Sequence, residues 1–326
     1  MTFWWISFNV FVIAMLALDL GVFHRKAHVV RMREALTWTA VWVSLALLFN
    51  LGLYLGWWGG YPPELRGEVS LQFLTGYLIE KSLSVDNVFV FALLFRYFHV
   101  EPEYQHRILF WGILGALIMR AILIFAGVAL MHRFEWVVYV FGAVLIFSGI
   151  KMWRTHDTKI EPDKNPVLKL VRRIFPVTPE NHGQRFFVKQ AGKWAVTPFF
   201  VVLIFVEWSD LVFALDSIPA ILALTKDPFI VYTSNVFAIL GLRALYFALA
   251  GILNRFHLLH YGLSAILIFV GIKMLAVEFV HIPIFVSLGV IATILVLSVI
   301  LSLMRPPKPD SPELAAAEEV EETIEG

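Results

Sequence analysis

Long apolar runs recur along the whole chain, with short polar segments between them. A helix needs roughly 20 residues to cross the hydrocarbon core of a bilayer, and most of these runs reach that length. The pattern therefore predicts nine transmembrane helices. They cover residues 4–23, 36–55, 70–95, 108–131, 135–152, 195–222, 229–251, 257–277 and 283–304.

The composition agrees with a membrane setting, since 59% of the residues are hydrophobic and 16% are charged. A soluble domain carries a larger charged fraction. The N-terminus lacks a basic region and a small-residue cleavage site, so it is predicted to be the first transmembrane helix and not a removed signal peptide. We therefore expect an all-α polytopic membrane protein with a single transmembrane domain over 1–304.

Basic residues are distributed unequally between alternate loops. Ten Lys and Arg lie between residues 151 and 193, whereas the loops on the other side contain only Arg66, Arg133 and Lys226. By the positive-inside rule the N-terminus is outside and the C-terminus is cytoplasmic. We expect the protein in the cell inner (plasma) membrane, with a cytosolic loop at 153–194.

Two stretches of the chain repeat each other. HRFEWVVYVFGAVLIFSGIKM at 132–152 aligns without gaps with NRFHLLHYGLSAILIFVGIKM at 254–274. Upstream, Arg120 corresponds to Arg243, and EKSLSVDN at 80–87 resembles DLVFALDS at 210–217. The predicted repeats, 70–152 and 195–277, contain three spans each, so the copies must cross the bilayer in opposite directions. Inverted repeats are typical of transporters that bind their cargo near the midplane.

Ionisable residues lie deep in the third and sixth spans. Such residues are costly in a bilayer and usually mark a transport pathway. Five acids against three bases leave two negative charges, which a divalent cation could neutralise. The alternative is that the charges form structural ion pairs between helices, which we favour for Arg120 and Arg243. The acids are Glu80, Asp86, Glu207, Asp210 and Asp216, and the bases are Lys81, Arg120 and Arg243.

The acids cannot all face one point on straight helices. Glu80 and Asn87 share one helical face, and Asp86 lies about 120° away from it. The same spacing recurs in the sixth span. Pro219 offers a break there, because it frees the carbonyl of Leu215, a natural oxygen ligand.

The types of polar side chain narrow the cargo. The chain has no cysteine, and its histidines lie in loops or at the ends of spans. Carboxylates, an amide and hydroxyls suit Mg²⁺, Ca²⁺ or Mn²⁺ better than Zn²⁺ or copper. No phosphate-binding loop is present, so ATP-driven transport is not indicated.

Four motifs carry a family resemblance: LIEKSLSVDNVFVFALLF, FVEWSDLVFALDSIPAI, TSNVFAILGLRALYF and GIKM. Over residues 4–304 the chain resembles the TerC family of integral membrane proteins, and most closely its Alx branch. The resemblance implies cation export, with manganese as the cargo of that branch. By motif match it implies a metal site formed by Glu80, Asp86, Asn87, Glu207, Asp210 and Asp216.

The resulting hypothesis is manganese export by alternating access, with release driven by protonation of the carboxylates. It implies no resident cofactor, no enzymatic activity and no nucleic-acid partner, and it leaves a homo-oligomer open. One alternative is a membrane stress sensor or scaffold that recruits cytosolic partners through the 153–194 loop and the acidic tail, 305–326, which its composition predicts to be disordered. The other is an intramembrane enzyme with paired acids, which we disfavour because no nucleophile constellation accompanies them.

Overall fold

A computed structural model of the chain describes residues 2–18, 30, 32–98, 100–134, 136–154, 176–178, 185–190, 193–249, 258–280 and 282–304. The predicted acidic tail lies outside the described residues, as does most of the predicted cytosolic loop. Ten α-helices and one β-hairpin form this described part. The helices are α1 (Thr2–Leu18), α2 (Met32–Leu55), α3 (Arg66–Tyr97), α4 (Pro102–Arg133), α5 (Val137–Arg154), α6 (Pro198–Leu222), α7 (Pro228–Leu240), α8 (Leu242–Leu249), α9 (Leu259–Leu275) and α10 (Ile284–Met304).

Six helical segments of the described chain are long and apolar enough to cross a membrane. They are Met32–Leu55, Pro102–Met131, Val137–Arg154, Pro198–Leu222, Pro228–Leu249 and Ile284–Met304. Helices α1 and α9 are apolar but shorter. The architecture agrees with the predicted all-α membrane protein, while the count of nine spans stays a prediction.

Prolines and polar caps fix where helices begin. Pro198 and Pro228 each occupy the first turn of their helix, where a missing N–H costs nothing. Asp227 caps α7 by accepting a hydrogen bond from the backbone N–H of Phe229 at 2.9 Å. The Tyr61 hydroxyl donates to the other carboxylate oxygen of Asp227 at 2.8 Å, so the α2–α3 and α6–α7 connections lie at the same end of the bundle. Burial and the neighbouring Asp227 raise the pKa of Tyr61 well above its usual value, which keeps it a donor.

A short antiparallel hairpin begins inside the loop predicted at 153–194 and extends just beyond it. Strand β1 (Phe187–Gln190) pairs with β2 (Lys193–Val196), and α6 begins at Pro198. The predicted start of the second repeat, residue 195, therefore falls in a strand and not in a helix. Phe186 stacks on Phe199 with ring centroids 5.0 Å apart, which fixes the hairpin against the first turn of α6.

The two predicted repeats interlock through their helices. The first helix of one copy packs against the second of the other, so α3 contacts α7 while α4 contacts α6. Helices α3 and α6 also contact each other at the centre of the bundle. The third helices, α5 and α9, form an extensive contact of their own. Residues from both copies therefore face the middle of the molecule.

Small residues let α5 and α9 touch through their backbones. A Cβ added to Gly271 would lie 2.8 Å from the carbonyl oxygen of Gly142, and one added to Gly149 would lie 2.9 Å from that of Ser264. Such close approach is typical of helix pairs in membranes. The earlier α5 residue, Gly142, contacts the later α9 residue, Gly271, and the later α5 residue, Gly149, contacts the earlier α9 residue, Ser264. The two helices are therefore antiparallel. In the gapless alignment Gly149 corresponds to Gly271 and Gly142 to Ser264, so each copy makes the contact that the other makes.

The expected break at Pro219 is not present. Helix α6 runs continuously from Pro198 to Leu222, with Pro219 inside its last turn. The interruption falls instead at Gly241, which separates α7 from α8. The predicted break was wrong, because only three residues of α6 follow Pro219 and the helix ends before it can bend.

Candidate functional site

The centre of the bundle is built around one arginine. Arg120 on α4 is 2% exposed and lies between Glu80 of α3 and Asp210 of α6, which are 1% and 2% exposed. Its Nε and Nη2 atoms donate to the two carboxylate oxygens of Asp210 at 3.0 and 2.7 Å. Its Nη1 atom donates to Oε1 of Glu80. The guanidinium therefore makes a two-pronged pair with one acid and a second ion pair with the other.

Two neutral side chains complete this arrangement. The Nη1 atom of Arg120 also lies 3.3 Å from the Ser217 hydroxyl oxygen and 3.5 Å from Oδ1 of Asn235. The amide of Asn235 donates to Oε2 of Glu80 at 3.1 Å. All four carboxylate oxygens thus accept a hydrogen bond. We call Glu80, Arg120, Asp210, Ser217 and Asn235 the central cluster.

Helical spacing explains how α6 contributes two members. Asp210 and Ser217 are seven residues apart, or about two turns, so they lie on one face. Asn235 was not predicted as a site residue. Its signal was present in the apolar stretch TSNVFAIL, where Thr233, Ser234 and Asn235 are all fully buried. The predicted site residues in this stretch were chosen for their charge, so the amide of Asn235 was not included.

Glu207 lies near the central cluster but outside it. It precedes Asp210 by one helical turn and faces α4 at Gly115, where a Cβ would collide with its carboxylate. Its Oε2 atom is buried and has no hydrogen-bond partner among the described residues. Buried carboxylate oxygens usually have a partner, so this atom is an acceptor that a further donor could use.

Two further predicted ligands occupy other places. Asp216 turns away from the central cluster and accepts a hydrogen bond from the Ser148 hydroxyl of α5 at 2.6 Å. Asn87 is 1% exposed, and its Oδ1 atom has no hydrogen-bond partner in the described part of the chain. Asp86 lies on α3, but its side chain is outside the described part of the structure. The division of the acids between two faces of α6 follows the spacing argument.

The remaining basic residues lie near the break between α7 and α8. The Lys81 ammonium donates to the carbonyl oxygen of Ala238 at 3.3 Å, in the last turn of α7. Carbonyls at a helix C-terminus attract cations, so this position suits a buried lysine. Gly241 leaves the space, because a Cβ there would lie 2.6 Å from the Lys81 nitrogen. Arg243 is buried on α8.

The predicted ligands whose side chains are described do not come together as one metal site. Over the residues that the structure describes, no three acidic or histidine side chains come close enough together to hold a metal ion. What the geometry provides is a pair of carboxylates from two helices, held apart by a guanidinium. A cation that bound both acids would meet the Arg120 guanidinium between them.

The fold and this site define an all-helical integral membrane protein with a fully buried ionic cluster between its helices. The chain belongs to the TerC family: the family described as "Integral membrane protein TerC family" matches residues 65–309. The resemblance seen in the motifs is thereby confirmed.

Relatives align over nearly the full length of the chain. An "Uncharacterized membrane protein STKORF319" of Myxococcus xanthus is 54% identical over 92% of this chain and 92% of its own length. The "Putative membrane-bound redox modulator Alx" of Escherichia coli (strain K12) is 50% identical over 91% of this chain and 93% of its own. An "Uncharacterized membrane protein" of Rickettsia bellii is 40% identical over 92% of this chain and 97% of its own. No solved structure matches the chain.

Proposed function

We propose that this protein exports divalent metal cations, with Mn²⁺ as the cargo, by alternating access in exchange for protons. The observation that carries the proposal is the central pairing of Glu80 and Asp210. These acids occupy corresponding positions in the two predicted repeats and are buried against one cation, Arg120. Ionisable groups at such depth belong by default to a transport pathway.

The chemistry of the buried groups supports a hard cation as cargo. Carboxylates, the amides of Asn87 and Asn235 and serine hydroxyls are oxygen ligands, and the chain contains no cysteine. An anion carrier would need an excess of buried positive charge. Mn²⁺ itself comes from the family resemblance, and the cargo-binding set in the proposal is Glu80, Asp86, Asn87, Glu207, Asp210 and Asp216.

The antiparallel α5–α9 pair supports the alternating-access part. Reciprocal contacts between matching residues are what two inverted copies would make. In this proposal the two copies rock against each other. The protein lies in the cell inner membrane, with its N-terminus outside and its C-terminus in the cytoplasm. No resident cofactor, catalytic step or nucleic-acid partner is part of it.

The name of some relatives, redox modulator, suggests another reading. A protein without cysteine cannot use thiol–disulfide exchange within its own chain. Export of a redox-active cation would alter redox balance without such chemistry. Cation transport therefore accommodates the name, whereas a disulfide mechanism does not.

The test is cation movement into proteoliposomes that contain the purified protein. Mn²⁺, Ca²⁺, Mg²⁺ and Zn²⁺ are compared while lumenal pH is recorded, for the wild type and for Asp86→Asn and Asp216→Asn. We expect selective Mn²⁺ movement with opposing proton flow, abolished in both variants. Asp227→Asn is the matched control, because asparagine caps a helix as well as aspartate does.

Other outcomes decide between the alternatives. If the wild type moves no divalent cation, the exporter is refuted and the membrane sensor or scaffold becomes the better account. A cytosolic partner that co-purifies and is lost on deletion of the 153–194 loop would then support it. If both variants keep transport, the proposed cargo set is wrong.

A further inference from the structure

We propose that Arg120 is a tethered counter-cation, which incoming cargo displaces from Glu80 and Asp210 toward Glu207. This inference rests on the proposed function, because it describes how the same site exchanges its occupant. Arg120, which the sequence predicted to form a structural ion pair, thereby takes part in transport. Glu207, which the sequence predicted to be a metal ligand, becomes the partner of the displaced guanidinium.

The first supporting observation is that every oxygen of the two carboxylates already accepts a hydrogen bond. Arg120 binds both oxygens of Asp210 and one of Glu80, and Asn235 binds the other. A metal ion would compete with the guanidinium for these oxygens, since the two cations repel each other at such short range. In this proposal the cargo therefore replaces the Arg120 contacts.

The charges favour a divalent replacement. Glu80, Asp210 and Glu207 carry a formal charge of −3 when ionised, and Arg120 brings the sum of the four groups to −2. A divalent ion between Glu80 and Asp210, with Arg120 on Glu207, brings that sum to zero. A monovalent ion leaves one negative charge buried, which is costly in a low dielectric. Within these four groups, taken as ionised, a doubly charged cargo balances the charge better than a singly charged one.

Glu207 is placed to receive the guanidinium. Its Oε2 atom is buried and has no hydrogen-bond partner among the described residues. Positions three residues apart on a helix are about 5–6 Å apart at Cβ, so Glu207 and Asp210 are neighbours on α6. In this proposal Arg120 exchanges Asp210 for Glu207 by rotating its side-chain bonds, with α4 itself staying in place.

A small cavity adjoins the Asp210 side of the central cluster. It has a volume of about 10 Å³ and is lined on α4 by Leu109, Gly112, Ile113 and Ala116. Gly112 and Ala116 lie about two turns and one turn before Arg120. Helical side chains lean toward the N-terminus, which along the axis of α4 is the direction of this cavity and of Gly115, where Glu207 lies. The cavity is large enough for about one water, so it gives the side chains around Asp210 limited room to rearrange.

The test is Mn²⁺ binding by the purified protein, measured by electron paramagnetic resonance of free Mn²⁺. Four proteins are compared: wild type, Arg120→Gln, Glu207→Gln and the double variant. Arg120→Gln should bind Mn²⁺ about tenfold more tightly, because no competitor has to leave first. Glu207→Gln should bind about tenfold more weakly, since the displaced guanidinium loses its partner, and this effect should vanish in the Arg120→Gln background.

The double variant separates this proposal from direct ligation. If Glu207→Gln weakens binding equally in both backgrounds, Glu207 ligates the metal and the proposal is wrong. It is also wrong if Arg120→Gln leaves the affinity unchanged or lowers it. Arg133→Gln, at the exposed end of the same helix, is the control for a lost positive charge.

A more conservative substitution of Arg120 provides a second test in case Arg120→Gln does not fold. Arg120→Lys keeps the charge but loses the fork that binds Asp210 twice, so it should bind Mn²⁺ with an affinity between those of wild type and Arg120→Gln. An affinity at or below wild type in this folded variant would overturn the proposal. If the wild type neither binds nor transports any divalent cation, the proposed exporter is refuted. If the wild type transports Mn²⁺ but Arg120→Gln does not change the Mn²⁺ affinity, only the counter-cation proposal is refuted.

Discussion

The central cluster and the α5–α9 pair are both built from the predicted repeats, but they are held together differently. In the α5–α9 pair the two copies contribute matching residues, and Gly149 and Gly271 make equivalent backbone contacts. In the central cluster Glu80 and Asp210 correspond, yet a single arginine lies between them. Packing is thus symmetric between the copies, whereas the ionic chemistry is not.

The difference has a physical origin. Backbone contact between helices tolerates no added atom, so both copies must keep small residues where the helices touch. Two buried carboxylates need compensation, but one guanidinium has enough donors to serve both. A second arginine at the same point would add repulsion. The two predicted copies therefore match where close packing requires small residues and differ where one cation suffices.

The largest expected effect comes from removing the cation of the central cluster. Arg120→Gln leaves Glu80 and Asp210 buried without a counter-charge, which costs about 3–5 kcal/mol. We expect a large drop in the thermal denaturation midpoint of the purified protein in the presence of a chelator. Mn²⁺ should restore much of it, because the metal replaces the missing charge.

Arg133→Gln provides the comparison, because Arg133 is exposed at the end of the same helix. It should leave the denaturation midpoint nearly unchanged. An equally small effect of Arg120→Gln would show that charge does not hold the central helices together, and the contrast between the two regions would fail.

The next effect concerns the symmetric contact. Gly271→Ala places a Cβ 2.8 Å from the Gly142 carbonyl oxygen and 2.7 Å from the Ile146 side chain. The backbone has to shift, and overpacking of this kind costs about 1–3 kcal/mol. We expect a lower denaturation midpoint that Mn²⁺ does not specifically restore, since no charge is involved.

Gly289→Ala is the matched control for this substitution. Gly289 also lies within a helix, α10, but a Cβ there meets no atom within 4 Å. This variant should be neutral or slightly stabilised, because alanine favours the helix more than glycine does. If the two glycine variants behave alike, the α5–α9 helices are not in the close contact described above.

The sequence predicted the helices better than it predicted the partners of their side chains. Apolar runs indicated the place of every described α-helix, although α7 and α8 were predicted as one span, and helical spacing separated the face of Asp210 from that of Asp216. Arg120 was expected to pair with an acid, which it does. These successes depend on periodicity and on the cost of buried charge, both of which act locally along the chain.

Contacts between distant segments were beyond that reasoning. Nothing in the sequence indicates that Asn235 reaches Glu80 across 155 positions, because an amide in an apolar helix has many possible partners. The break at Gly241 lies where the Lys81 ammonium packs against the chain, a contact that only the packed structure shows. The hairpin at 187–196 was missed because two strands of four residues carry little pattern of their own.

The smallest effect concerns Asp216, which connects the two regions by bridging α6 and α5. Ser148→Ala removes the hydrogen bond between the Ser148 hydroxyl and the Asp216 carboxylate. Asp216 is only partly buried, so water can replace the hydroxyl, and the loss should be about 0.5–1.5 kcal/mol. We expect a slight drop in the denaturation midpoint and a clear change in Mn²⁺ transport, because the carboxylate is no longer held against α5.

Ser209→Ala tests whether that change belongs to Asp216. The Ser209 hydroxyl donates only to the carbonyl oxygen of Phe205 in its own helix, at 2.8 Å, so its removal leaves both α5 and Asp216 untouched. Transport should be normal in this variant. A further outcome is that Ser148→Ala also transports normally while Asp216→Asn does not. In that case the Asp216 carboxylate functions without its contact to α5, and the central cluster operates independently of the α5–α9 pair. If both serine variants lose transport, the loss reflects general damage to the helices, and the link between the two regions is no longer supported.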